Sequence, residues 1–167
     1  MSELSAFRVS VADLRRPGSM RDVEVAAPIQ GIGNGAAEVP GTTPVDARFH
    51  LERVSDGVVV RGEIAAPWVG QCSRCLTAVG AEVRVRVDEL FEEEPIEGET
   101  YRLDHDILDL EPMVRDALTL DLPLAPVCDA ACLGLCPVCG IDRNHGSCDC
   151  ATDEPDPRWA ALRSLDL

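Results

Sequence analysis

The sequence predicts an α+β fold, in which an antiparallel β-sheet is combined with one central helix, a cysteine-rich module and a short C-terminal helix. Alternation of apolar and polar residues in the N-terminal half of the chain predicts the strands. A later segment, between Asp109 and Pro123, carries apolar residues at helical spacing and predicts the central helix. Six of the eight cysteines follow between positions 128 and 150, a density that is typical of a metal-binding module.

The alternating pattern predicts strands in the segments 5–14, Asp22–Ala27, Ala47–Val54, Val58–Ala66 and Ala81–Asp88. The third and fourth segments are separated by Ser55-Asp56-Gly57, and an Asp-Gly step between two alternating segments is a strong hairpin signal. In the last segment Val83, Val85 and Val87 would face the core, because side chains of a strand point alternately to opposite faces. Residues 31–44 are rich in glycine and proline, and we expect a loop there.

Two helices are predicted in the C-terminal half. The central helix begins at Asp109, has Pro112 in its first turn and ends before Pro123. Its apolar stripe consists of Leu110, Met113, Val114, Ala117, Leu118 and Leu120. The short C-terminal helix has Asp156 as its N-cap and Pro157 at its first helical position. Its apolar stripe consists of Trp159, Leu162 and Leu165.

The segments Cys136-Pro-Val-Cys139 and Cys148-Asp-Cys150 together predict one four-cysteine metal site. A C-x₂-C spacing lets one turn of backbone deliver two sulfurs to the same ion, and Zn²⁺ prefers four thiolates in a closed tetrahedron. Gly140 follows the first pair and permits the bend that points backbone N–H groups at the sulfurs. His145 lies between the two pairs and would be the substitute ligand, although an exposed loop histidine is the more common case.

The remaining cysteines predict a second site, formed by Cys72, Cys75, Cys128 and Cys132. Its first pair follows a strand and its second pair follows the helix, so this site would staple the sheet to the helix. A structural zinc site contributes on the order of 10 kcal/mol to folding in small systems. Another pairing would place on one metal the residues Cys128, Cys132, Cys136 and Cys139. It is less favoured because the first assignment leaves no cysteine unpaired. Spacing does not exclude an iron–sulfur cluster, but we predict two structural zinc ions.

The chain is predicted to divide into an α+β core domain that carries the first CxxC (1–125), a cysteine-rich zinc module (126–150) and a C-terminal linker with a short helix (151–167). It contains no stretch of about 20 apolar residues, so no membrane-spanning helix is expected. Its N-terminus lacks the basic and apolar regions of a secretory signal. We therefore expect a cytoplasmic protein, in which reduced thiols bind metal rather than form disulfides.

The net charge is −15, with 15 basic and 30 acidic residues. Because nucleic-acid affinity comes largely from lysine and arginine, binding to free RNA is disfavoured unless arginines cluster on one face. The arginines of the last strand, with Arg61 and Arg74, would form such a patch, although alternating charges on a wet sheet face are the default explanation. A basic protein is the natural partner by charge. The glutamates of the linker 92–99 are a candidate docking surface, although such a run is more often a solvated linker.

No catalytic constellation is visible. His50, His105 and His145 have no serine or aspartate arrangement that resembles a nucleophilic triad, and cysteines committed to a metal cannot act as nucleophiles. We therefore expect a protein that is not an enzyme.

Several motifs together resemble the bacterial YceD family of large ribosomal RNA subunit accumulation proteins. They are Cys72-Ser-Arg-Cys75-Leu76, Asp109-Leu110, Gly134-Leu-Cys-Pro-Val-Cys-Gly140, Asn144, Cys148-Asp-Cys150 and Asp156-Pro157-Arg158 with Leu162 and Leu165. The motifs fall in the family's order and spacing from about residue 5 to the C-terminus. The presence of two cysteine clusters resembles the Gram-positive and actinobacterial branch.

This resemblance implies a non-enzymatic role in biogenesis of the large ribosomal subunit, in support of 23S rRNA accumulation and processing. It also implies a small basic ribosomal protein of the large subunit as the partner, with indirect contact to the 23S rRNA precursor. No membrane partner is expected, because the chain has no stretch of about 20 apolar residues. The alternative is a direct rRNA-binding zinc module, which would use the arginine-bearing strand and the zinc knuckle as a rigid platform.

Overall fold

The structure is a computed structural model that describes residues 6–150 and Arg158. Its strands are β1 (Arg8–Ser10), β2 (Met20–Pro28), β3 (Ala37–Glu38), β4 (Pro44–Arg53), β5 (Gly57–Gln71), β6 (Ala78–Glu92), β7 (Tyr101–Asp104) and β8 (Ile107–Asp109), followed by the helix α1 (Glu111–Asp121). Apart from Arg158, the predicted C-terminal helix lies outside the described residues. Within them, no helix is long and apolar enough to cross a membrane.

The strands form one curled sheet in the order β1-β8-β7-β6-β5-β4-β2, with the short β3 added to the end of β5. The predicted antiparallel sheet is corrected to a mixed one, since β6 and β7 run parallel over the pairs Phe91–Tyr101 and Glu92–Arg102. The stacked rings of Phe91 and Tyr101, with centroids 5.1 Å apart, hold this parallel contact. A connection as short as residues 93–100 suffices because so few residues pair.

The central hairpins agree with the alternating pattern. β4 and β5 form the predicted hairpin, closed by the Val54 N–H donating to the Gly57 carbonyl at 2.9 Å. β5 and β6 then pair along their whole length, from Gly57 opposite Glu92 to Gln71 opposite Ala78. Both strands are longer than the alternating pattern indicates. The turn between them, residues 72–77, holds the first CxxC at the end of the sheet.

The core lies between one face of the sheet and α1. Val58, Val60 and Ile64 of β5 are fully buried, and α1 contacts β5 and β6. The buried residues of α1 are Met113, Val114 and Leu118, as its helical spacing predicts. Leu120 is the exception, because it points away from the sheet and is 86% exposed.

The N-terminal strand is shorter than predicted. Among the described residues 6–14, only Arg8–Ser10 forms a strand, paired with β8. Val11 and Leu14 are buried from turns rather than from a strand. The alternating pattern in this segment therefore predicts which side chains are buried, but it does not indicate a continuous paired strand. The strands β3, β7 and β8 were not predicted, since two to four residues are too few to show a period.

Candidate metal centres

The first cysteine group joins two distant parts of the chain. Cys72 and Cys75 come from the turn between β5 and β6, while Cys128 and Cys132 come from the loop after α1. All four sulfurs lie within 4.8 Å of one another. Cys75 Sγ is 3.6 Å from Cys128 Sγ, and Cys72 Sγ is 3.9 Å from Cys132 Sγ. The sequence favours this same grouping, and in the structure Cys128 and Cys132 lie with Cys72 and Cys75 rather than with Cys136 and Cys139.

The turn that carries Cys72 is closed by the backbone. The Leu76 N–H donates to the Cys72 carbonyl at 2.9 Å, and the Cys72 N–H donates to the Thr77 carbonyl at 2.8 Å. The Arg74 N–H lies 3.4 Å from Cys72 Sγ. Backbone N–H groups of Cys128, Cys75 and Arg74 lower the pKa of Cys72 to about 6, because they stabilise the thiolate. The turn is thus built to present an anionic sulfur.

The loop after α1 is fastened to this turn by Arg74. Its Nη1 donates to the carbonyls of Ala130 at 3.1 Å and Cys132 at 3.0 Å. The Ser73 N–H donates to the Pro126 carbonyl at 2.8 Å. Sequence reasoning did not single out Arg74 for this role, although its place between two cysteines of one site is the signal that could have indicated it.

The second cysteine group is more local and more exposed. It consists of Cys136, Cys139, Cys148 and Cys150, whose sulfurs also lie within 4.8 Å of one another. Only Cys136 is buried. N–H groups of Cys139 and Val138 lower the pKa of Cys136 to about 6, whereas the hydrogen bond with Cys139 raises the pKa of Cys150 to about 12. The group therefore combines one sulfur whose thiolate is favoured, Cys136, with two whose pKa is raised, Cys148 and Cys150.

His145 is not part of either group. Its side chain is 85% exposed, and its Nε2 lies 3.8 Å from Asp142 rather than beside a sulfur. The histidine is thus an exposed loop residue in this structure.

Both groups fit a four-coordinate metal ion by the chemistry of their donors. Each offers four sulfurs at mutual contact distance, with one sulfur already receiving backbone N–H groups. Four thiolates suit Zn²⁺ and also suit iron. In the first group, three of the four cysteines are buried, as expected for a closed site.

The two CxxC turns share one backbone shape but not one residue. In each, the residue after the second cysteine has a positive φ, 62° at Leu76 and 75° at Gly140. The Gly140 N–H donates to the Cys136 carbonyl at 2.9 Å, as the Leu76 N–H does to Cys72. The first turn thus holds an exposed leucine in a conformation that normally favours glycine.

Replacing Gly140 with alanine is expected to destabilise the second group by about 1 kcal/mol, because alanine resists a positive φ. No atom lies within 4 Å of the added Cβ, so the cost is conformational alone. Chelator-induced release of metal from the variant should be faster than from the wild type. Val138→Ala is the control, since that side chain is 65% exposed and its backbone φ is not positive. Equal release rates in the two variants would contradict the prediction.

Comparison with known proteins identifies the family. The family model described as "Large ribosomal RNA subunit accumulation protein YceD" matches residues 60–166. The chain belongs to the YceD family. The matched segment begins within β5 and contains α1 and both cysteine groups, whereas β1 to β4 precede it. The candidate metal centres therefore lie in the part of the chain that the YceD model describes.

Relatives extend the similarity to nearly the whole chain. An uncharacterized protein of Mycobacterium tuberculosis strain H37Rv is 38% identical over 172 aligned positions, covering 95% of this chain and 80% of the relative. An uncharacterized protein of Mycobacterium leprae is 32% identical, covering 90% and 73%. The chloroplastic "Large ribosomal RNA subunit accumulation protein YCED homolog 1" of Arabidopsis thaliana is 24% identical, covering 77% of this chain and 50% of its own length. No solved structure matches the chain.

Proposed function

We propose that this protein is a non-enzymatic biogenesis factor of the large ribosomal subunit, which supports 23S rRNA accumulation in the cytoplasm by binding a small basic ribosomal protein. Membership of the YceD family carries the proposal, and the name of the plant relative supports it. The net charge of −15 favours a basic partner, because opposite charges steer the encounter and favour the correct partner.

In this proposal both cysteine groups hold structural zinc. The ion of the first group would tie the β5–β6 turn to the loop after α1, and its contribution would be to folding rather than to a reaction. An iron–sulfur cluster is the alternative. Metal analysis and the visible spectrum of protein purified without oxygen separate the two, since zinc protein is colourless and a cluster absorbs visible light.

A groove beside α1 is the surface best suited to a basic partner. It has a volume of about 740 Å³ and runs between α1 and residues 98–101. Its carboxylates are Glu89, Glu99 and Asp116. The exposed Leu120 on its rim supplies an apolar contact. A segment that carries both a lysine or arginine and an apolar side chain would complement this surface.

The charges of the groove are not neutralised from within. Its one arginine, Arg115, is held away from the carboxylates by Glu111 at 2.9 Å and by the Gln30 carbonyl at 2.7 Å. Burial, and to a lesser extent the neighbouring Asp88, raises the pKa of Glu89. Burial and Asp116 raise the pKa of Tyr101 to about 12. An incoming cation would favour the charged form of Glu89, which burial disfavours.

Two arginines of the expected basic patch, Arg61 and Arg84, are paired with carboxylates of the sheet. Arg61 lies 3.0 Å from both Glu52 and Asp88, and Arg84 lies 3.3 Å from Glu63. These pairs neutralise Arg61 and Arg84, which weakens the case for the alternative of a direct rRNA-binding module.

Native mass spectrometry of the chain, purified gently from its own host, tests the proposal. We expect a complex with a small basic protein of the large ribosomal subunit and two zinc ions. If the chain carried RNA fragments instead, or no ribosomal protein at all, the partner assignment would be contradicted. The number of bound metal ions would still test the two metal sites separately.

The double variant Glu99→Gln/Asp116→Asn is expected to weaken binding of that ribosomal protein about tenfold at low salt, because two carboxylates of the groove lose their charge. Asparagine can still accept the hydrogen bond that Tyr101 donates to Asp116 at 3.1 Å, so the fold should be retained. Titration by isothermal calorimetry at two salt concentrations measures the effect.

The matched control is Glu24→Gln/Asp46→Asn, which removes the same charge from exposed positions of β2 and β4. If both double variants weaken binding equally, the net charge and not the groove recognises the partner.

A further inference from the structure

Asn144 belongs to the second cysteine group by sequence but contacts the first group in space. It lies in the loop between Cys139 and Cys148. Its Nδ2 is 3.3 Å from the sulfur of Cys132, a member of the first group. Its Oδ1 accepts the Leu133 N–H at 2.8 Å. One side chain therefore joins the loop of one candidate metal centre to a sulfur of the other.

The hydrogen bonds around Asn144 determine which way its amide points. The NH₂ group lies between two acceptors, Cys132 Sγ and the Asp142 carboxylate, which is 2.7 Å away. The oxygen faces the Leu133 N–H, which can only donate. Reversing the amide would place its oxygen against a sulfur and a carboxylate. The side chain thus donates an N–H to the sulfur, and this N–H stabilises the charge of a thiolate.

The loop that holds Asn144 is itself anchored at both ends by the second group. Within the loop, Asp142 accepts the Asn144 N–H at 2.9 Å, and the Arg143 N–H donates to the Gly134 carbonyl at 2.9 Å. A metal on Cys139 and Cys148 would close the ends of this loop. A loop that the metal has already closed has less conformational freedom left to lose. The contact between Asn144 and Cys132 then costs less entropy.

We propose that Asn144 couples the two metal centres, so that a metal ion in the second group strengthens metal binding by the first. The sequence alone treats the two sites as separable. In the structure the second group positions a hydrogen-bond donor on Cys132, and coupling of two binding sites is reciprocal. The inference rests on metal binding by both groups, as proposed above.

The test measures the zinc affinity of the first group by competition with a chromophoric chelator in the full-length chain. Asn144→Ala and Cys148→Ser are each expected to weaken that affinity, by about 10-fold to 100-fold for an outer hydrogen-bond partner of a metal ligand. The zinc affinity of the double variant should equal that of the single variant with the lower affinity, because both changes remove the same contact. His145→Ala is the matched control and should have no effect, since that neighbouring side chain is 85% exposed.

Cobalt substitution gives a spectrum that would not change if Asn144 only supported the fold of the loop. The sulfur-to-cobalt charge-transfer band of the first group should shift in Asn144→Ala and in Cys148→Ser, but not in His145→Ala. Far-UV circular dichroism identifies any variant that has failed to fold, and Asn144→Ser then serves as the milder replacement. The coupling would be overturned if the affinity losses of Asn144→Ala and Cys148→Ser multiplied in the double variant. It would also be overturned if Asn144→Ala left both the zinc affinity and the cobalt spectrum unchanged. A wild-type chain that binds no metal would instead overturn the proposed metal sites.

Discussion

Replacing Cys75 with serine is expected to remove the metal from the first group. The free energy of unfolding, which is about 5–15 kcal/mol for a typical domain, should fall by a large part. Cys75 is 7% exposed and lies in the turn between β5 and β6, and its sulfur contacts Cys128, which is 53 positions away in sequence. Without a metal the loop after α1 would be joined to the β5–β6 turn by the hydrogen bonds of Ser73 and Arg74. Metal content and thermal unfolding measure the effect.

Ser73→Ala is the matched control for this change, because Ser73 is an exposed residue of the same turn. It should keep the full metal content and the wild-type melting temperature. If Cys75→Ser also kept two metal ions per chain and unfolded at the wild-type temperature, the first group could not be a structural metal site. Comparison with Cys148→Ser gives the relative weight of the two groups, and we expect the smaller loss there because the second group closes a shorter loop.

Replacing Gly62 with alanine is expected to cost about 3 kcal/mol, at the upper end of overpacking changes in cores. Gly62 lies in the central strand β5, opposite Phe49 of β4. An added Cβ would lie 2.0 Å from the Arg48 carbonyl oxygen and 2.9 Å from a ring carbon of Phe49. The Arg48 carbonyl cannot move away without disturbing the ladder between β4 and β5. A fall in melting temperature of about 10 °C is the expected result.

Glu63→Ala is the control for the glycine change. Glu63 is the next residue of β5, and its side chain is 46% exposed with a surface ion pair to Arg84. Such pairs contribute about 0–1 kcal/mol, so the melting temperature should change by only a few degrees. Similar melting temperatures for the two variants would show that the sheet adjusts at Gly62 and that the close approach is not limiting.

The elements that could be predicted from sequence are those with enough residues to show a period. The alternation of Val58 to Ala66, the Asp-Gly step before it and the apolar stripe of α1 are local properties, and the structure has the corresponding hairpin and helix. The prediction that Leu120 belongs to the buried stripe of α1 is wrong. Helical spacing gives the face of the helix but does not reveal where the sheet beneath it ends. Its exposure depends on how α1 lies across the sheet.

The sequence by itself determined the central hairpin, the helix and a cysteine-rich segment with the spacing of metal sites, because each depends on neighbours along the chain. The sequence favoured the pairing of Cys75 with Cys128 and left a second pairing open, and the tertiary structure has the favoured one. Only the tertiary structure decided that β6 and β7 run parallel and that Asn144 reaches Cys132. These contacts depend on the relative placement of the sheet, the end of α1 and the loops that follow. No local pattern encodes that placement, because it is set by how the buried faces pack.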